Sequence, residues 1–168
     1  GRLVGLDRET GEFKWDFQAP SQSLNLRSNP GLAVGLSDSI IVGFHGGVAM
    51  NLDSSSGEVR WSVNVSIPSG DNELERISDV VGTPLVLENM VCMATFQGRV
   101  GCFDLETGRT NWSARVSAVG SLGFDDERIF VSDEAGHVVA LDQDTGTILW
   151  RNESFQYRKI TGPTVLGS

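Results

Sequence analysis

Short apolar runs separated by polar, turn-forming clusters recur along the whole chain, and this alternation predicts brief β-strands rather than helices. One unit of the pattern occurs four times. It runs from Gly1 through Asp7 and Gly11 to Trp15, and from Gly47 through Asp53 and Gly57 to Trp61. It returns from Gly98 through Asp104 and Gly108 to Trp112, and from Gly136 through Asp142 and Gly146 to Trp150. The intervals inside the motif never change, whereas successive Trp residues stand 46, 51 and 38 positions apart. A constant motif at a period near 40 residues with variable connections is the signature of a propeller or solenoid.

Each motif position has a physical reason. The first Gly closes a tight turn into a strand, where its freedom at positive φ avoids Cβ strain. An apolar strand then ends at Leu6, Leu52, Phe103 or Leu141. Asp7, Asp53, Asp104 and Asp142 can accept hydrogen bonds from the following amides in Asx-type turns, with Thr10, Ser56, Thr107 and Thr145 adding a hydroxyl. The second Gly closes that turn. The Trp that follows covers the junction with a neighbouring repeat, a burial contributing about 2–3 kcal/mol.

Upstream of the last three motifs lies a second apolar hairpin: residues 32–44, 83–96 and 120–133, turning near Ser37-Asp38, Glu88-Asn89 and Asp125-Asp126. Two strands before the motif and two spanning it make four antiparallel strands, A to D, the composition of a propeller blade. The expected fold class is therefore all-β: a β-propeller segment with three complete blades and partial blades at both ends. Expected blades cover residues 1–20 (strands C and D), 28–66, 82–117, 119–153 and 161–168 (strand A of a fifth). The chain is thus expected to start and stop inside blades of a larger ring.

Composition narrows the function. Acids outnumber bases 22 to 13, for a net charge of −9, which argues against the cationic surface that nucleic-acid binding requires. No run approaches the roughly 20 apolar residues of a membrane helix. The N-terminus lacks a signal-peptide shape, so any targeting segment is expected outside this sequence. Cys92 and Cys102 are not a CxxC pair. A three-residue turn at residues 96–98 would place them opposite one another and permit a disulfide, whereas a two-residue turn would not. The favoured reading is two small buried apolar residues. His45 and His137 sit beside B–C turns in different blades with no ligand cluster, and both are expected at the surface without a metal. No Ser/His/Asp set or phosphate-binding loop occurs.

The motif as it stands at residues 136–150 resembles the PQQ-type propeller repeat, a structural unit that does not itself bind quinone. The segments after the first two blades, residues 23–27 and 75–80 running into 83–86, resemble the BamB family. That resemblance covers essentially the whole chain. It implies an eight-bladed, non-catalytic propeller held by an N-terminal lipid at the periplasmic face of the outer membrane. It further implies docking on the POTRA domains of BamA and, as additional partners, unfolded outer-membrane protein clients; no cofactor is implied.

The resemblance carries partner-binding roles to Leu24, Leu26, Arg27, Arg76 and Asp79. Where the family often has a second acidic residue two positions beyond Asp79, this chain has Val81. Without the resemblance, Leu24 and Leu26 read equally well as a small core under their own loop. Arg27 and Asp79 likewise read as solvated charges or an ion pair with each other. Two other functions share the repeat: a fragment of a PQQ-dependent quinoprotein dehydrogenase, which commonly carries a vicinal Cys pair that Cys92 and Cys102 do not form, and a luminal sensor domain.

Overall fold

Why the motif spacing works is visible in the strands it produces. A computed structural model describes residues 2–19, 31–66 and 78–166. The first two strands, β1 (Arg2–Leu6) and β2 (Phe13–Gln18), form a two-stranded sheet, blade I. Blade II is the meander β3 (Leu32–Val34), β4 (Ser39–Gly43), β5 (Val48–Asp53) and β6 (Val59–Asn64). Blade III is β7 (Val80–Leu87), β8 (Met90–Thr95), β9 (Val100–Asp104) and β10 (Thr110–Ala114). Blade IV is β11 (Gly123–Phe124), β12 (Arg128–Ser132), β13 (Val138–Asp142) and β14 (Ile148–Asn152). The fold is the all-β propeller segment that the repeat implies.

The Asp turns are built as anticipated. Asp7 Oδ1 accepts the Glu9 and Thr10 amides, each at 2.9 Å, and Asp142 Oδ1 accepts the Thr145 amide at 2.9 Å and its hydroxyl at 2.7 Å. The second Gly of each motif, from Gly11 to Gly146, has φ between 70° and 74°, a left-handed geometry that favours glycine. At the first Gly the expectation holds for Gly47 (φ 72°) and Gly136 (φ 87°) but not for Gly98. There Gln97 takes the positive φ, 51°, and Gly98 is needed because a Cβ would collide with the Thr95 hydroxyl.

Strand D of every blade carries one extra residue that repeat reading misses. Leu6 pairs with Phe13 and Gly5 with Trp15, so Lys14 bulges out; Arg60, Asn111 and Leu149 do the same in blades II to IV. A bulge re-aims the side chain that follows it, here Trp. In blades I and II the bulged residue also turns back to the Asp of its own turn, Lys14 to Asp7 at 2.9 Å and Arg60 to Asp53.

Each Trp then reaches the next blade. Trp15 Nε1 donates to Ser54 O at 2.9 Å, Trp61 to Leu105 O at 3.0 Å and Trp112 to Gln143 O at 2.8 Å; each acceptor follows the motif Asp of the next blade. The rings lie on the second Gly of those turns. A Cβ would stand 2.6 Å from the Trp15 ring at Gly57 and 2.8 Å from the Trp61 ring at Gly108, and closer still to Trp112 at Gly146.

Alternation along the strands of blade III divides the core between its two neighbours. Met90, Cys92, Ala94, Val100 and Cys102 pack toward blade IV with Ile129, Val131, Val139 and Leu141. Val91, Met93 and Phe103 pack toward blade II with Ile41 and Ala49. Inner strands meet through glycine: the Gly31 amide donates to Gly82 O at 2.9 Å, and a Cβ on Gly82 or Gly162 would strike the Ser121 backbone. Residues 161–166 lie in that inner position beside Ser121 without regular strand pairing, so the strand expected there is not formed. A strand A is defined by its strand B, and none of the described residues pairs with this segment.

Cys92 and Cys102 are bonded, with Cα atoms 4.1 Å apart, which corrects the reading of two free thiols. The three-residue turn at 96–98 sets the register that puts them opposite each other on β8 and β9. Both are fully buried beside Trp112.

These contacts make a paired test. Gly108→Val should cost about 2–4 kcal/mol, combining left-handed strain with overpacking against Trp61. Gly11→Val, at the same φ but with nothing within 4 Å, should cost only about 1–2 kcal/mol from strain. Urea denaturation of the two variants measures the difference.

Candidate functional site

Antiparallel meanders sort the connections between two faces: A–B and C–D turns emerge at one, B–C turns and D–A connectors at the other. The D–A connectors occupy residues 19–31, 65–79 and 115–122, so the first two are long and the third is short. Leu24, Leu26, Arg27 and Arg76 lie outside the described residues. The described ends of the second connector are tied to the B–C face, since the Val65 amide donates to Gly47 O at 2.8 Å and the Val80 amide to Phe44 O at 3.3 Å.

Asp79 is the one predicted partner-binding residue within the described chain, and it is not the solvent-facing contact that the sequence reading implied. It is 1% exposed. Its Oδ1 accepts the Gly46 amide at 2.9 Å and its Oδ2 lies 3.0 Å from His45 Nδ1. Its carbonyl accepts the Phe96 amide at 2.9 Å. Asp79 therefore joins the B–C turn of blade II to that of blade III and holds the end of the connector between them. The signal in the sequence was His45-Gly46-Gly47, a turn with donors and no carboxylate of its own.

The surface expectation for the histidines also fails for His137, which is 9% exposed. Its Nδ1 lies 2.9 Å from Asp133 Oδ2, and Asp133 Oδ1 accepts the Ala135 and His137 amides at 2.9 and 2.8 Å. His45 is partly buried against Asp79. Each histidine, itself in a B–C turn, is thus partner to one carboxylate: Asp79 from the D–A connector for His45, and Asp133 from the same turn for His137. Among the described residues no three His, Cys, Asp or Glu side chains converge as metal ligands do.

Charge is divided between the faces. The A–B and C–D turns carry Asp7, Glu9, Glu12, Asp38, Asp53, Glu58, Glu88, Asp104, Glu106, Asp125, Asp126, Glu127, Asp142 and Asp144 against Arg8 and Arg109, and are strongly acidic. The other face is mixed, with Arg99, Arg115, Arg158, Lys159 and both histidines beside Asp79, Asp133, Glu134 and Glu153. Hydrogen bonds hold the motif carboxyls below their ordinary range: Lys14 and the turn amides for Asp7, Ser55 and then Arg60 for Asp53. Thr107 does so for Asp104, and Thr145 for Asp142.

Four-stranded blades clasped by Trp and Asp turns, with no assembled catalytic group among the described residues, define a PQQ-type β-propeller. A family model described as "Outer membrane protein assembly factor BamB" matches residues 1–152. The chain belongs to that BamB family. It is 36% identical over 167 residues to the outer membrane protein assembly factor BamB of Burkholderia pseudomallei, covering 99% of this chain and 44% of that protein. The crystal structure of BamB from Moraxella catarrhalis superposes with a TM-score of 0.88 at 29% identity, covering 99% of this chain and 50% of that one. The chain thus spans about half the length of these relatives. A quinohemoprotein alcohol dehydrogenase from Pseudomonas putida matches at TM-score 0.71 but 17% identity, over 91% of this chain and 31% of that one, which shows the fold alone.

Two measurements follow. Asp79→Ala strands the half-buried Gly46 amide and should cost about 1–3 kcal/mol, with faster hydrogen exchange at Gly46; Asp79→Asn, which keeps an oxygen acceptor, should cost less. The motif aspartates stabilise the fold fully at neutral pH, because their folded pKa values lie below the unfolded value of about 3.9. The unfolded chain therefore binds protons first as pH falls, and stability is lost from about pH 4 downward. Urea midpoints between pH 7 and pH 3 should decline, and less steeply in Asp142→Asn.

Proposed function

We propose that the chain is a non-enzymatic scaffold in outer-membrane protein assembly, docking on the periplasmic POTRA domains of BamA through its B–C and D–A face. The observation that carries this reading is the pairing of BamB family membership with two long D–A connectors, after blades I and II, that share one face. The connector after blade III, which carries none of the proposed contacts, is short. Length beyond what joins two strands is where propellers place recognition, since the blades leave the loops free to vary.

In this reading Leu24 and Leu26 fill apolar pockets on the partner, while Arg27 and Arg76 orient it electrostatically. Asp79 acts as a positioning residue: it anchors the described end of the second connector to two B–C turns. The placement is the periplasmic face of the outer membrane, with a lipid anchor in the full-length protein. Support for a scaffold rather than a quinoprotein dehydrogenase comes from the names of the relatives at substantial identity; the dehydrogenases share only the fold. Unfolded outer-membrane protein clients are a further proposed partner of the same face.

Calorimetric titration against the POTRA domains of the cognate BamA tests the reading. Saturable binding should weaken at least tenfold in Leu26→Ala and again in Arg27→Glu, with folding unchanged. Binding unaffected by either substitution removes the proposed contact face, and no binding by the full-length protein removes the scaffold role.

A further inference from the structure

Cys92, Cys102 and Trp112 stand in one row across three neighbouring strands of blade III, since Cys92 pairs with Cys102 and Cys102 with Trp112. The same row in blade II holds Ile41, Asn51 and Trp61, and Asn51 Oδ1 has no hydrogen-bond partner there. In blade IV the row holds Phe130, Ala140 and Trp150. The positions beside the Trp therefore vary from blade to blade, and among the described blades only III fills them with a covalent bond.

Both cysteines are 0% exposed. Ile129, Val131, Val139 and Leu141 of blade IV pack in the same cluster, and the Trp112 indole beside them is fastened to Gln143 O and to the Gly146 turn of that blade. A disulfide forms when a thiolate attacks a disulfide sulfur and passes through a mixed disulfide, so the thiols must be reachable by a second molecule. That approach is closed once blades III and IV have met. The hairpin of residues 90–104 needs no such meeting. Its turn, with Gln97 at φ 51° and the Thr95 amide donating to Arg99 O at 2.9 Å, brings the thiols opposite one another while blade IV, which follows in the chain, has yet to dock.

Rates decide what this order requires. All-β domains fold in roughly milliseconds to seconds, whereas disulfide formation takes about seconds to hours, depending on the oxidant. Unassisted, the junction closes first and buries two thiols.

We propose that the chain is a substrate of a thiol–disulfide oxidoreductase, which oxidises Cys92 and Cys102 before blade IV closes over them. One cysteine thiolate attacks the enzyme's disulfide, giving a mixed disulfide and releasing one enzyme thiolate. The other cysteine thiolate attacks the chain sulfur of that intermediate, forming the Cys92–Cys102 bond and releasing the second enzyme thiolate. Two electrons pass to the enzyme, and the two thiol protons end on its dithiol. Such bonds persist in oxidising compartments, so the inference shares with the preceding reading only the periplasmic placement. The POTRA titration can fail without touching it.

Dilution of the reduced chain from urea into folding buffer, with free thiols counted by maleimide alkylation, tests the order. The oxidants are oxidised glutathione and a thioredoxin-like oxidase in its disulfide form, at equal disulfide concentration. With the oxidase present at dilution, both thiols should disappear at least tenfold faster than with glutathione. Added once tryptophan fluorescence has reached its folded value, the same oxidase should act at least tenfold more slowly. Trp112→Phe, which loses the bond to Gln143 O, should raise that late rate at least threefold; an unchanged rate removes the junction of blades III and IV as the barrier. Equal early and late rates, or glutathione as fast as the oxidase, overturn the proposal. If the reduced chain never reaches the folded fluorescence, oxidation has to come first, and the oxidised chain then decides. Dithiothreitol should reduce it at least tenfold more slowly in buffer than in urea, and equal rates would overturn the burial on which the order rests.

Discussion

Everything in this molecule rests on the grip of one tryptophan on the next blade's turn. The indole donates to the carbonyl after the motif Asp and lies flat on the glycine that closes the turn. That glycine serves twice: its positive φ lets the Asp turn close, and its missing Cβ makes room for the ring. The bulge before the Trp is the third part, because it turns the ring out of its own sheet. The three act together, beside the apolar core that neighbouring blades share. Trp150, at 41% exposed, shows the side chain with no described blade to grip.

Because Trp, the C–D turns and the shared apolar core make the junctions, the connector face carries less of the task of holding the fold. One face gathers carboxylates, many of them occupied by their own turns, yet collectively a strong negative field. The other gathers the long connectors and most of the unmatched cations. Asp79 is the exception that links the two roles. It is a charge on the connector face spent inward, on His45 and on a backbone amide, to fix two turns from different blades. A residue that resembles a contact in sequence is here a buried tie between two turns.

Legibility followed the range of the interaction. Asp, Thr and Gly in the C–D turn act on residues within a few positions, so their roles could be read from spacing alone. The blade count and the all-β class came from the same repetition. Cys92 and Cys102 stood at the limit: pairing depended on whether one turn had two residues or three, and composition favoured the wrong answer. The bulge in strand D was hidden inside a constant spacing, since a residue present in every repeat looks like part of the pattern. The glycines at 31, 82 and 120 recur near the start of each inner strand, and Gly162 stands in the corresponding inner segment, a signal that was present but overlooked because its cause lies in the neighbouring blade.

The chain's own order of residues determined the repeat, the turns, the strand class and, through family likeness, the expected partner face. Those properties are local or periodic, and a one-dimensional string preserves both. Tertiary structure alone decided the burial of Asp79 and His137, the disulfide, the unpartnered Asn51 oxygen and the direction of each Trp. The disulfide turns on the length of one turn inside blade III, whereas the burial of Asp79, the environment of Asn51 and the grip of each Trp depend on which atoms arrive from another blade, at sequence separations that vary with loop length. Burial and hydrogen-bond satisfaction are properties of packed neighbours, so they become definite only once the blades have met.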